Sequence, residues 1–235
     1  MPSKLFLMPV PISETESMAW IGSDYTETIK ATNLYFVENI RTARRFISSL
    51  KLGIVIDSLR FEVLDKTISP SDIQSFGRLL EENAQAIIMS ESGCPAVADP
   101  GSLLVAEAHR LGIEVLPMVG PSSILLALMG SGLSGQNFCF HGYLPIESAD
   151  CLQKIKQLEI ESSQRRQTQI FIETPYRNQR IWNALTKELK PDTRLAFGID
   201  LLGQKQRIKQ KTVAEWRQSA DIEWDKLPTI FLFLA

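Results

Sequence analysis

Short apolar runs rich in branched and aromatic residues recur along the chain: KLFLMPV (4–10), NLYFVEN (33–39), AQAIIMS (84–90), IEVLPMV (113–119), FCFHGYL (138–144), TQIFIET (168–174), RLAFGI (194–199) and TIFLFLA (229–235). Runs of this length read as buried strands. Between them lie amphipathic segments that predict helices over Arg41–Leu50, Ser71–Asn83, Ser102–Leu111, Ser122–Met129, Ser148–Leu158 and Arg177–Leu189. Pro70-Ser71-Asp72 is a helix start, and Gly112 after Arg110-Leu111 is a helix stop. Strands alternating with helices predict an α/β protein with a largely parallel sheet in its first half. No internal repeat or low-complexity tract interrupts the pattern.

Pro and Gly cluster after a strand in PMVGPSS (117–123), which predicts a boundary between a domain of residues 1–117 and one of residues 118–235. The length of 235 residues accommodates two such domains. Charge divides unevenly there, with 10 Lys+Arg against 15 Asp+Glu in the first part and 15 against 12 in the second. The whole chain is near neutral at −2. A cationic coat for nucleic acid is therefore absent, although a local basic patch in the second half remains open. The hydrophobic content of 44% excludes a disordered chain or a disulfide scaffold.

Three cysteines (Cys94, Cys139, Cys151) and two histidines (His109, His141) show no metal-ligand spacing, so no metal is expected. A histidine-based triad is equally unsupported. The apolar run Leu5–Val10 is broken by Pro9 and Pro11, too short for a signal peptide or membrane span. The sequence reads as that of a cytoplasmic protein with reduced thiols.

In an open α/β sheet, ligands gather beyond the carboxyl ends of the strands. The segments there are PVPI after the first run, Glu38-Asn39-Ile40-Arg41 after the second, SESGCPAVADPG (90–101) after the third and VGPSS after the fourth. A later run ends in Glu173-Thr174-Pro175-Tyr176-Arg177. In the 90–101 segment Gly93 permits close backbone approach, Pro95 and Pro100 stiffen the path, and Ser92, Ala96 and Ala98 leave room. Such a loop offers backbone N–H and C=O groups, suited to hydroxyls, amides and an adenine ring rather than a triphosphate. Neither a Walker pattern nor G-x-G-x-x-G occurs. Asp99, before Pro100-Gly101, fits a helix cap.

These segments resemble a family pattern block by block. SESGCPAVADPG is similar to S-D-A-G-T-P-x-I-S-D-P-G, and MVGPSSILLALMGSGL to L-P-G-P-S-A followed by a short apolar helix and S-G-L. FCFHGYLP resembles F-x-F-x-G-F-L-P, IFIETPYR resembles F-Y-E-S-P-H-R, and FVENIRTARRFISSL resembles A-E-D-T-R-x-T-x-x-L-L. LFLMPVPI matches L-Y-V-V-P-T-P-I. The blocks keep order and spacing from residue 5 to about 190. The pattern is that of the tetrapyrrole-methylase-like superfamily of S-adenosylmethionine-dependent methyltransferases. The nearest branch methylates a cytidine ribose 2′-oxygen in small-subunit ribosomal RNA.

The resemblance implies a mostly parallel N-terminal sheet, a mixed C-terminal sheet, S-adenosylmethionine in the cleft between the two domains, and a homodimer. By position it places Pro11, Ile12, Ser92, Gly93, Cys94, Pro95, Val97, Ser122, Ser123, Glu173, Ala196 and Pro228 at the cofactor. Methyl transfer from a sulfonium needs no metal and no covalent enzyme intermediate, so a site poor in His and Cys is no obstacle. For a ribose hydroxyl, Glu38 is the candidate base or polarising group, with Arg41, Arg44 and Arg177 available for phosphates and Tyr176 for stacking on a base. Equally, Glu38 and Arg41 could pair or cap a helix, and Tyr176 could pack at a domain junction.

The chain departs from the family pattern in places. Glu91 stands for Asp, Cys94 for Thr, Asn39-Ile40 for Asp-Thr, and P-I-S-E for P-I-G-N. The family's R-E-L-T-K segment reads Gly198-Ile199-Asp200-Leu201-Leu202, and no helical extension follows Ala235 in this sequence. These differences leave open a small-molecule acceptor, or a cofactor-binding module without catalysis, besides RNA or the small ribosomal subunit. Lys205, Arg207, Lys209 and Lys211 recur at period two, so on a strand they share one face. That row is either a phosphate-contacting ladder or charge protecting a sheet edge.

Overall fold

The computed structural model describes residues 3–224 and 226–235. It divides into two units. One contains the residues up to Ile12 together with Ser17–Pro121, and the other contains Ser13–Glu16 together with Ser122–Ala235.

The first unit runs β1 (Lys4–Leu7), α1 (Ser23–Ala31), β2 (Leu34–Val37), α2 (Ile40–Ser49), β3 (Arg60–Val63), α3 (Pro70–Glu82), β4 (Gln85–Met89), α4 (Gly101–Arg110) and β5 (Glu114–Pro117). Its sheet has the order β3-β2-β4-β1-β5, and every pairing is parallel. The two-residue period of the strands sends side chains to opposite faces. Leu5, Phe36 and Ile88 pack with Phe76 and Leu80 of α3 and Leu104 and Ala108 of α4. Tyr35, Val37, Ile87 and Met89 pack with Tyr25 and Ile29 of α1 and Ala43 and Ile47 of α2. Each such side chain taken from water stabilises the fold by roughly 1.5–3 kcal/mol.

Local signals set the helix ends. Ser69 and Asp72 form a capping box at the start of α3, with Pro70 in its first turn. Gly112 follows α4 at φ +71°, the left-handed stop that its position after Arg110-Leu111 predicts. Helix α1 and strand β3 were not expected from the hydrophobic pattern. SDYTETIKA buries only Tyr25 and Ile29, and RFEV is a sheet edge with its two end residues exposed.

The second unit runs α5 (Ser123–Ser131), β6 (Phe138–Tyr143), α6 (Ser148–Arg165), β7 (Thr168–Glu173), α7 (Asn178–Glu188), β8 (Arg194–Ile199), β9 (Arg207–Thr212), α8 (Val213–Arg217) and β10 (Thr229–Leu234). The sheet order is β6-β7-β10-β8-β9. Only β6 and β7 run parallel, and the other pairings are antiparallel. This is the mixed sheet that the family resemblance implies. Phe231 of β10 sits opposite Phe171 and Phe197, and all three join Trp182, Trp216 and Trp224 in one aromatic core. Helix α5 is packed against β8, β9 and β10. A Cβ at Gly130 would lie 2.5 Å from Ile208 Cδ1, so helix and strand approach closely there. Among the described residues no helix is long and apolar enough to cross a membrane.

Candidate cofactor site

Because all five strands of the first unit are parallel, the segments that follow them leave the sheet on one side. Three of those segments meet. Val10 and Gly93 form an antiparallel bridge, with Val10 N donating to Gly93 O at 2.9 Å and Gly93 N returning to Val10 O at 3.1 Å. The Cys94 thiol lies 3.3 Å from the carbonyl of Pro121. A Cβ on Gly120 would fall 2.3 Å from Pro9 Cβ. Tyr25 donates from its hydroxyl to Pro9 O at 2.6 Å and so fixes the first segment from below.

Pro11 and Ile12 thus lie beside the 90–101 loop, as their sequence position suggests. Gly93 has φ +73°, and a Cβ there would be 3.2 Å from Ile12 Cγ2. Within the loop, Ala96 and Ala98 take φ of 65° and 62°, a strained region for residues with a Cβ. Asp99 holds that path. Its Oδ1 accepts from Ala96 N at 2.8 Å and Gly101 N at 2.7 Å. The expected cap at the start of α4 is present in this form, but the same carboxylate also fixes the loop. Its other oxygen, Oδ2, is buried without a partner. Ser92 and Val97 are exposed, Cys94 is half-buried and Pro95 is buried.

Glu38 follows β2 and is half-buried. Its Oε1 accepts from Glu91 N at 3.1 Å. Burial pushes its carboxyl above the ordinary range; the Glu91 amide opposes this, while the charges of Asp99 and Glu91 add to it. Burial also pushes up Asp99, against the pull of its two amides. Burial likewise raises the Cys94 thiol, with the Asp99 charge adding. The alternative of a Glu38–Arg41 ion pair is not what forms: Asn39 caps α2, accepting from Arg41 N and Thr42 N.

The fit to S-adenosylmethionine can be judged from these groups. Left-handed backbone, small side chains and a glycine without room for a Cβ leave main-chain groups to meet a ligand. The orphaned Asp99 oxygen and raised Glu38 favour a neutral or positively charged ligand over a polyphosphate. A sulfonium bearing an adenosine and an amino acid matches both conditions.

The other candidate positions have more structural surroundings. Arg41 is exposed. Arg44 is ion-paired with Asp57 and sits 6.0 Å over the Phe61 ring. In the second unit, Ser122 caps α5 through Leu125 N, and Ser123 is that helix's first residue. Glu173 at the end of β7 accepts from Thr174 N at 2.8 Å and lies 3.1 Å from Arg177 Nη2. Burial raises its carboxyl against the opposing Thr174 amide and Arg177 and Arg180 charges. Arg177 also donates to Pro145 O at 2.9 Å, and so ties the segment after β6 to the one after β7. Ala196 is fully buried in β8. Pro228 is exposed, and its carbonyl accepts from Asp200 N. Tyr176 is 84% exposed, with Lys226 Nζ 6.0 Å over its ring.

Asp200 has a role that its sequence position does not disclose. Its Oδ1 accepts from Ser13 Oγ at 2.7 Å and its Oδ2 from Lys205 N at 2.9 Å. Gln204 N donates to Thr15 Oγ1 at 3.0 Å. The Ser13–Glu16 segment is thereby fastened beside the β8–β9 turn. The only signal in the sequence is the departure of Gly198–Leu202 from the family segment.

No family model matches the chain. Curated relatives do. A Bacillus subtilis protein named ribosomal RNA small subunit methyltransferase I is 27% identical over 90% of this chain and 68% of its own length. A Mesorhizobium japonicum protein of the same name is 33% identical over 84% of this chain and 63% of its own length. Among solved structures, a diphthine synthase superposes with a TM-score of 0.64 at 12% identity, covering 99% of this chain and 90% of that one. A Thermus thermophilus uroporphyrin-III-C-methyltransferase gives 0.56 at 14% identity, covering 100% of this chain and 93% of that one. The chain has the tetrapyrrole-methylase-like fold. The resemblance carried by the motifs is borne out by these relatives. The chain spans about two thirds of the length of the two curated relatives named, 68% and 63%.

Proposed function

We propose that the chain is an S-adenosylmethionine-dependent methyltransferase that methylates the ribose 2′-oxygen of a cytidine in small-subunit ribosomal RNA, as a cytoplasmic homodimer. The observation that carries this reading is the similarity, along 90% of the chain, to a protein named ribosomal RNA small subunit methyltransferase I. The loop geometry of the first unit supports the cofactor half of it.

S-adenosylmethionine supplies an electrophilic methyl group on a sulfonium. Pro11 and Ile12 would border it from the first segment, and Ser92, Gly93, Cys94, Pro95 and Val97 would present the backbone of the 90–101 loop to it. Asp99 keeps that loop in its left-handed path. Glu38 would accept the proton of the 2′-hydroxyl as that oxygen bonds the methyl carbon and the carbon–sulfur bond breaks, leaving a neutral thioether. Its raised pKa suits proton acceptance near neutral pH better than an ordinary carboxylate would. Arg41, which is exposed at the start of α2, is placed to meet a phosphate.

A second reading, methyl transfer to a small molecule, is favoured by Gly198–Leu202, where Asp200 is committed to Ser13 and Lys205. One experiment separates the two. Purified protein is incubated with methyl-labelled cofactor and either small ribosomal subunits from a strain lacking the gene or a metabolite extract. Label in a single ribosomal RNA cytidine, recovered after alkaline hydrolysis in a resistant dinucleotide, is expected. Label in the metabolite fraction with none in RNA overturns the RNA reading.

A further inference from the structure

Each unit's sheet has two outer strands, and their charge differs. On β3, Arg60 is neutralised within the strand by Glu62 at 2.7 Å. On β5, Glu114 pairs with Lys4 of β1 at 3.7 Å. Strand β6 carries no Lys, Arg, Asp or Glu at all. Strand β9 is different again: Arg207, Lys209 and Lys211 alternate with Ile208, Gln210 and Thr212 and contain no acid.

The strand's register fixes where these side chains lie. Arg207, Lys209 and Lys211 sit opposite Ile199, Phe197 and Leu195 of β8, residues of the aromatic core, so the cations belong to that face of the sheet and overhang its rim. Ile208 takes the opposite face, against Gly130 of α5. Lys209 and Lys211 are both exposed. Lys211 Nζ is 2.8 Å from Ser219 Oγ and 5.0 Å over the Trp216 ring, and Arg207 donates to the Glu223 carbonyl. Lys211 also lies close enough to Glu215 for its charge to help lower that carboxyl, yet among the described residues neither Lys209 nor Lys211 is ion-paired.

Protecting an edge against pairing requires only a charge, and β3 shows that charges of mixed sign serve. A row of one sign is repulsive to itself, and that repulsion is relieved by an anionic polymer. Two residues along a strand span roughly 6.8 Å, so Lys209 and Lys211 on flexible stems can reach phosphates along one nucleic-acid strand. We propose that the β9 row, centred on Lys209 and Lys211 with Arg207 beside them, is a phosphate-contacting surface for the RNA substrate. This rests on the RNA reading above and adds where the substrate's backbone is held.

The test uses the full chain and a fluorescein-labelled, cytidine-containing single-stranded RNA of about 15 nucleotides, with anisotropy followed across a salt series. For single strands, each phosphate contact contributes about −0.7 to the slope of log affinity against log salt. The double variant Lys209→Gln, Lys211→Gln is expected to flatten that slope by about 1.4 and weaken binding about tenfold at low salt, with unchanged calorimetric affinity for S-adenosylmethionine. Lys209→Gln alone, at an exposed side chain with no ring contact, should flatten it by about 0.7. An unchanged slope in a double variant that still binds cofactor overturns the proposal. So does loss of binding to phosphatidylserine vesicles with RNA binding intact. If wild-type protein labels ribosomal RNA while the slope is unchanged, only this surface is refuted. If wild-type protein neither binds nor labels RNA, the RNA reading falls first.

Discussion

The carboxylate of Glu38 and the amide of Glu91 are hydrogen-bonded at 3.1 Å, which ties the end of β2 to the loop after β4. That bond makes Glu38 a loop latch, the proposed proton acceptance would be a second job, and two substitutions separate them. Glu38→Gln keeps an amide oxygen able to accept from Glu91 N. It should retain cofactor affinity within about twofold and lose roughly 10²–10⁴ in methyl transfer if Glu38 is the base. Glu38→Ala should additionally weaken cofactor binding by about 1 kcal/mol through the lost hydrogen bond. Calorimetry and a labelled-methyl assay measure the two effects. A Gln variant with full turnover would remove Glu38 from the chemistry.

The pH profile follows from the same carboxylate. A base accepts a proton only when ionised, so turnover falls as pH drops through the Glu38 pKa. Burial holds that pKa above the ordinary range, and the acid limb of kcat/KM should lie correspondingly higher. Asp99 adds a like charge, so Asp99→Asn should move the limb to lower pH. A limb that stays in place would show that the two carboxylates are not coupled in turnover. For stability the sign is the opposite of an ordinary salt-bridged acid. Raised carboxyls favour the folded state while protonated, and that contribution is lost as pH rises through the raised values.

Arg177 distinguishes a structural clamp from a phosphate ligand. It lies against Glu173, whose side chain is completely buried, and bonds to Pro145 O. Removing one partner of a buried pair typically costs about 3–5 kcal/mol. Arg177→Ala should therefore lower Tm by several degrees with KM for RNA little changed among molecules that remain folded. A raised KM with an unchanged Tm would assign it to substrate.

Asp200→Ala tests the fastening of Ser13. Losing the hydrogen bonds from Ser13 Oγ and Lys205 N should destabilise the protein by about 2 kcal/mol, a Tm drop of roughly 4–8 °C in a chain of this size. Limited proteolysis should then cut near Ser13–Glu16 before elsewhere. An unaltered digestion pattern would mean that the segment is held by other contacts.

Much of this architecture is written locally. The buried strands announce themselves because LYFV, QAIIM and TIFLFL are apolar almost throughout, and β9 is legible from its alternating cations. Strand β3 escapes because an edge strand carries Arg60 and Glu62 within a four-residue run, and the last turns of α6, beyond the expected end at Leu158 to Arg165, escape because they bury only the polar Glu159 and Ser162. The 90–101 loop shows in its Gly, Pro and small residues. The partners of its side chains do not: Glu38 meets Glu91 53 positions away, Arg177 meets Pro145 32 away, and only the folded sheet brings such residues together.

The Ser13–Glu16 segment bears on how the protein is made. Its partners Asp200 and Gln204 follow it by 187 and 189 positions, so during synthesis it leaves the ribosome long before the residues that hold it. A fragment starting at Ser122 would be born without a piece of its own unit, and Asp200 would face solvent where Ser13 belongs. The two halves are therefore not separable by cutting the gene at the visible joint. A split version should recover its stability only when residues 13–16 are grafted back or supplied in trans.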